Sequence, residues 1–345
     1  MKLDLMDEQC FGEKLEATEE YCAAYLRLAI VEVEHQWRLQ WGDPYQSFEI
    51  VWEINVGIPA GAIDESEVVC RFERVAELAV SRLPHATFGS LTSVNVVPEV
   101  AAQVATYAKS PLRREGLHFI VDVGAATVDT AAFILKQNAE GDDVYSLLST
   151  SVEKLGAYRL HCARIDAIEA SGGAVTPGFR STVHQVPNDV ASYLSDGSAG
   201  HRVLDGVDTK FHAFTKRSMH QVLHHVRKYM YPNAPAWAIG ARFFVCGGGS
   251  AVSVYQKANR ALSIWWHENG REIAPFEFQG ILPPTNLRWS SGPPQPEFHR
   301  LSVAYGLSFP FVEVGRVRSP GEIAPVEAPE RVISQFAYED SKDLT

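Results

Sequence analysis

The sequence predicts an α/β protein in which mixed sheets are flanked by helices and the chain folds as two lobes. Three observations carry this. Apolar runs of strand length alternate with stretches of helical periodicity. The 345 residues exceed what one compact core usually takes. Two of the most apolar runs end in small residues, Gly124-Ala125-Ala126 and Gly247-Gly248-Gly249, as strands do when they deliver backbone to a turn.

The elements follow in order. Residues 18–39 read as one helix, with Tyr21, Tyr25, Leu28, Val31 and His35 at three- and four-residue steps among glutamates. A Gly42-Asp43-Pro44 turn ends it. Residues 48–58, FEIVWEINVGI, form a strand too apolar to keep one face in water. Pro59, Ala60 and Gly61 break that strand, and Asp64 or Ser66 can cap a helix through Val68, Phe72, Val75 and Leu78. A short β-branched strand at 93–97 precedes a helix at 98–108 that opens on Pro98. Strands are expected at 118–123, 127–135 and 241–246, and helices at 215–230 and beyond Val254. Few elements can be placed in the Gly-rich stretch 165–209. Five prolines between Pro283 and Pro296 mark a loop, 297–309 returns to helix, and from Arg316 onward the Pro- and Glu-rich composition predicts a tail.

Composition excludes several classes. A net charge of −11 argues against a general grip on nucleic acid. The five cysteines are scattered and form no CxxC pair, which argues against a disulfide framework or a thiolate zinc site. The acidic start has no apolar core of a signal peptide, and no run approaches the ~18 apolar residues of a membrane span. The expectation is a reduced, cytoplasmic protein with no nucleic-acid or membrane partner.

The sharpest chemical feature is residues 119–135, FIVDVGAATVDTAAFIL. An apolar strand delivers Asp122 into the small turn, and Thr127 and Asp129 open the outgoing strand. Small residues let backbone N–H groups approach phosphate oxygens, and a carboxylate at a strand end can hold magnesium through water. A hairpin turn with an incidental Asp is the bland alternative. Likewise, a strand ending in Gly247, Gly248 and Gly249 leaves a surface without Cβ atoms, against which a flat ring and ribose can lie, and Ser250 follows it. A tight turn alone is the plainer account of the glycines.

Residues 119–135 resemble the second phosphate motif of the superfamily that joins actin, DnaK-type chaperones and sugar kinases. Further segments resemble that family in its own order. Residues 53–68, EINVGIPAGAIDESEV, are similar to its strand and Pro turn, and 96–108 to its connecting helix. Residues 155–160, LGAYRL, resemble its Leu-Gly-Gly turn, 243–258 its adenosine strand and glycine turn, and 300–309 its closing small-residue helix. The closest resemblance is to the nucleotide-binding domain of the DnaK-type heat-shock chaperones. It implies a two-lobed, actin-like, ribonuclease H-like fold. Residues 1–117 would be a partial first lobe with the connecting helix, 118–315 the second lobe, and 316–345 the tail.

The resemblance also implies site residues. Asp122 would hold the waters of a magnesium ion, and Glu99 would orient that shell or the attacking water. Gly124, Ala125, Ala126, Thr127, Asp129 and Gly156 would surround phosphate, and Gly247, Gly248, Gly249 and Ser250 would lie along adenosine. ATP or ADP with magnesium is the implied ligand. Two departures stand out. Nothing before Asp122 matches the family's opening Asp-x-Gly-[Thr/Ser] hairpin or its catalytic lysine, so the resemblance implies a first lobe incomplete at its N-terminus. Ala125 and Ala126 stand where chaperones have Gly, and a positive φ there would cost on the order of 1 kcal/mol.

The expected function is a DnaK-like, ATP-dependent conformational switch or chaperone-like module, with at most weak ATP hydrolysis in the absence of the opening hairpin. A pseudo-ATPase scaffold, a small-molecule kinase of the same superfamily and a filament-forming relative are the alternatives. A protein partner would meet the lobes or the Pro- and Trp-rich stretch 264–297, expected to be a loop. His220 and His224, four apart on one helix, could bind a metal but read more simply as a solvated face. Cys246 reads as a buried small residue, and Glu140, Asp142 and Asp143 as a solvated hairpin tip.

Overall fold

The computed structural model describes residues 2–7, 9–45, 47–83, 90–180, 186–195, 201–285, 287 and 298–324. The chain opens with a short helix α1 (Lys2–Leu5) and the long α2 (Glu13–Trp41). Then come β1 (Val51–Ile58), α3 (Ser66–Ser81), β2 (Ser90–Pro98) and α4 (Glu99–Ala108). A three-stranded run follows, β3 (Gly116–Val123), β4 (Val128–Gln137) and β5 (Asp143–Glu153), and leads into α5 (Ala157–Ala170) and α6 (His201–His225). The last part holds α7 (Ala236–Ile239), β6 (Arg242–Cys246), α8 (Ser253–Asn269), β7 (Glu277–Gly280), α9 (Ser302–Leu307), α10 (Phe311–Val314) and β8 (Arg316–Arg318).

The architecture is mixed α/β with helices flanking the sheets, as the sequence predicts. Six strands form one sheet in the order β7-β6-β3-β4-β5-β8, and β1 and β2 form a separate parallel pair. Strand β4 runs antiparallel to both β3 and β5, whereas β6 lies parallel to β3 and β8 parallel to β5. Side-chain alternation divides β3 between two cores. Leu117, Phe119, Val121 and Val123 pack with Leu223 of α6 and Tyr255 of α8. Ile120 packs with Val100 and Val104 of α4 on the opposite face, which is also the face of His118 and Asp122 by parity.

Four expectations need correction. In α2 the stripe expected at Tyr21, Tyr25, Leu28 and His35 is the exposed face, and Cys22 and Ala23 are buried. Small side chains let α3 approach, and Arg74 and Arg82 clamp Glu19 and Glu20 from it, each at 2.6 Å or less. Residues 264–269 are the last turns of α8 rather than loop, because Trp266 is buried in the core beside Trp237. The tail does not begin at Arg316: Arg316–Arg318 pair parallel with Val144, Tyr145 and Ser146 of β5. Residues 325–345 of the expected tail and 288–297 of the expected loop lie outside the described residues. Finally, Asp143 is not a solvated tip residue. It opens β5 with its side chain 12% exposed and faces Arg113 at 3.0 Å.

Candidate functional site

Four segments bring three of the predicted residues, Glu99, Asp122 and Asp129, together. The Pro59 turn after β1 supplies Ala60 and Gly61, the first turns of α4 supply Glu99 and Gln103, and β3 and β4 supply Asp122 and Asp129. All of them line one small cavity of about 20 Å³. Asp122 and Asp129 are directly opposed across the antiparallel β3–β4 ladder. Glu99 lines the same cavity and presses on β1: a Cβ on Gly57 would come within 2.8 Å of its Cγ.

Gln103 escaped the sequence reading. It is buried, one helical turn beyond Glu99, and its amide donates a hydrogen bond to Asp122 Oδ2. That bond fixes the carboxylate toward α4. The i, i+4 spacing of Glu99 and Gln103 was the only signal in the sequence.

The turn after Asp122 is held from behind. Its carbonyls at Gly124, Ala125 and Ala126 accept from the N–H groups of Ala157, Tyr158 and Gly156, at 2.9 to 3.1 Å. These donors are the otherwise orphaned amides at the start of α5. Gly156 is buried beneath the turn rather than open to a ligand, and a Cβ there would meet Ala125 and Ala126 backbone at 2.5 Å. Its role is to let α5 dock. With the carbonyls turned inward, Ala125 and Ala126 are exposed. Neither has a positive φ, since Glu272 is the only non-glycine with one among the described residues. Alanine therefore costs nothing in backbone strain there. Thr127 is half-buried, and its carbonyl accepts from Gly124 N–H at 2.9 Å.

The glycine turn after β6 stands beside this one. Cys246 pairs with Asp122 in the parallel β3–β6 ladder. Gly247 has φ +81°, and a Cβ there would overlap Asp122 Oδ1 and the Val123 carbonyl. Glycine is required twice over, by conformation and by contact. Gly249 is buried against Val123, with its N–H donating to Val123 O at 2.8 Å. Gly248 is the exposed member, and the Arg300 side chain lies against it, with Nε 3.3 Å from where a Cβ would stand. Ser250 is half-buried and closes the turn onto Gly247 O at 3.1 Å. The segment Phe298–Arg300 also touches the turn, because His299 O accepts from Gly247 N–H at 3.1 Å.

No family model matches the chain, and no curated protein matches it. Among solved structures it is similar to MreB5 of Spiroplasma citri bound to ADP, with a TM-score of 0.41 and 13% identity over 79% of this chain and 72% of that one. It is also similar to MreB 5 of Spiroplasma citri bound to AMPPNP, with a TM-score of 0.37 and 13% identity over 73% of this chain and 66% of that one.

The remaining candidates resolve as packing. Burial pushes the Cys246 thiol well up from its ordinary range, and the nearby Asp122 and Asp129 carboxylates add to this. Such a thiol is no nucleophile. His220 packs edge-on to Trp265 at 4.6 Å, and burial lowers its pKa. Among the described residues no group of three or more His, Cys, Asp or Glu side chains could hold a metal directly, and no helix is long and apolar enough to cross a membrane.

Carboxylate oxygens are nonetheless the hard donors that magnesium takes while keeping several of its waters. Asp122, Asp129 and Glu99 fit that role by chemistry. The cavity of about 20 Å³ has room for about one water. A hydrated cation would enter only as α4 and the Pro59 turn move away from β3 and β4.

Proposed function

We propose that the chain binds magnesium-ATP or magnesium-ADP at this site and acts as a DnaK-like, chaperone-like conformational switch. The observation that carries the reading is convergence. Two strand-end turns of small residues meet side by side at Asp122, and three carboxylates from three elements, Asp122 among them, line one cavity. Phosphate oxygens would meet the exposed amides of Ala125 and Ala126, and adenosine the open surface at Gly248 with Arg300 beside it. Asp122, Asp129 and Glu99 would hold magnesium through its waters, which would neutralise charge on the phosphates. Because the cavity is closed by α4, ligand entry requires that helix to shift, and the shift is what a protein partner would read.

A second reading, a pseudo-ATPase scaffold, is favoured by one observation. The β1–β2 sheet is two-stranded among the described residues, and no second small-residue turn among them faces the Asp122 turn. Phosphoryl transfer depends on preorganised groups on both sides of the γ-phosphate, and losing one typically costs ~100- to 1000-fold in rate.

Calorimetry with magnesium-ATP tests binding. Measurable affinity is expected, at least about tenfold weaker in Asp122→Asn, since a carboxylate–cation contact worth ~1.4 kcal/mol accounts for that factor. No heat and no thermal stabilisation by nucleotide would overturn the binding reading. Turnover separates the two functions: the chain alone should hydrolyse ATP very slowly, and an added N-terminal phosphate hairpin should raise the rate.

A further inference from the structure

We propose that a groove at the opposite ends of β3 and β6 is a second ligand site, for a small amphipathic anion carrying a carboxylate or sulfonate on an apolar body. The groove measures about 1020 Å³. It opens where Arg242 begins β6 and pairs with His118, four residues back from Asp122, or about 13 Å along the strand. It is therefore distinct from the nucleotide site.

Its lining is the inverse of the protein's overall charge. The chain carries a net charge of −11, yet the described residues around this groove include Lys109, Arg113, Arg114 and Arg242 and no Asp or Glu. The acids paired with these cations are not among the residues that line the groove. Arg113 meets Asp143 at 3.0 Å and Lys109 meets Glu313 at 3.5 Å. Arg114 and Arg242 share Glu277 at 3.8 and 3.9 Å, beyond hydrogen-bond reach.

Arg242 is the central group. Its side chain is 11% exposed. Nη1 donates to Tyr107 Oη at 2.7 Å and to Leu112 O at 3.2 Å. Its Nε is buried with no hydrogen-bond acceptor among the described residues. That atom is closed off from the groove and has the Glu277 carboxylate 3.9 Å away. The cations a ligand can touch are Lys109 and Arg114, whose side chains are 34% and 62% exposed, and an anion gains charge-assisted contacts there. The rest of the wall is apolar: Phe244, Ile281, Leu282, Tyr305 and Phe309. Pockets of about 300–1000 Å³ with apolar walls and a few convergent polar groups are the usual size and make-up of small-molecule sites. A bare inorganic anion would leave these walls wet, and a neutral apolar molecule would make no use of the positive charge along the groove.

The test uses the fluorescent anion 1-anilinonaphthalene-8-sulfonate and the full chain. Saturable binding at one site is expected, displaced by dodecanoate and not by dodecan-1-ol at the same concentration. Leu282 lines the groove and is 64% exposed, so it can be replaced without disturbing the core. Leu282→Glu should weaken the probe at least tenfold, and Leu282→Lys should not. An Arg242→Gln variant should also weaken it, and the Leu282 pair keeps the test valid if Arg242→Gln fails to fold. Magnesium-ATP should not displace the probe, so this site and the nucleotide site stand or fall separately. Absence of saturable binding, equal effects of the two Leu282 variants, equal displacement by the alcohol, or displacement by ATP would each overturn the proposal.

Discussion

Acid should destabilise this protein through one histidine in particular. His118 is 2% exposed and stacked between Phe133 and Phe244, with ring centroids at 5.5 and 5.8 Å. Its Nδ1 donates to Gly116 O at 2.8 Å, which leaves Nε2 to accept from Tyr107 Oη at 3.2 Å. The same Tyr107 oxygen already accepts from Arg114 N–H and from Arg242 Nη1, both at 2.7 Å. A proton on Nε2 would therefore turn a donor against a hydroxyl committed in the other direction. Burial, first, and then the positive charges of Arg242, Arg114 and Arg113 bring the His118 pKa from 6.5 down to about 4.

The sign follows from linkage. The folded state holds His118 neutral while the unfolded chain binds a proton below pH 6.5, so stability is fully present above 6.5 and is lost as pH falls toward 4. The interval from 6.5 to about 4, at ~1.4 kcal/mol for each pH unit, amounts to roughly 3 kcal/mol. Other groups titrate as well, so the measurement is a difference: urea unfolding of the wild type and of His118→Gln, from pH 7.5 to 4. His118→Gln should be the less stable protein at pH 7 through its lost stacking and hydrogen bonds. Its curve should converge on the wild type by roughly 3 kcal/mol between pH 6.5 and 4. Parallel curves across that window would refute the reasoning.

Two further outcomes follow from packing. A Cβ on Gly306 would overlap the Ala102 carbonyl, where α9 crosses α4; Gly306→Ala should destabilise the fold by roughly 1–3 kcal/mol or more, seen in denaturant unfolding. Because α4 carries Glu99 and Gln103, nucleotide affinity should fall with it, and an unchanged melting curve would contradict the close crossing. Iodoacetamide at pH 8 should modify exposed Cys70 on the folded protein and spare Cys246 until denaturant is added, as mass spectrometry of the digests would show.

Local chemistry determined much of this protein by itself. The apolar runs that became β3, β4 and β6 could be read because a strand covered on both faces has no polar alternation to confuse it. The turn at Gly124 and the glycines at 247–249 could be read because only small residues let backbones approach this closely. Even the break at Pro59 was local, since proline and glycine dictate their own conformations.

What stayed hidden depends on which residues meet across long separations in sequence. The period of α2 was right, but not which of its stripes is buried, because Cys22 and Ala23 face α3 by virtue of size and not hydrophobicity. Gly156 looked like a ligand contact and is a spacer, since its neighbour is the turn 30 residues earlier. Gln103, Asp122, Asp129 and Arg300 have no sequence pattern in common. Strand parity and register place them: β3 turns Asp122 toward α4, the antiparallel ladder sets Asp129 opposite it, and the parallel ladder brings Gly247 alongside. A slip of one residue in β3 would turn Asp122 into the opposite core, and that register is set by the whole sheet.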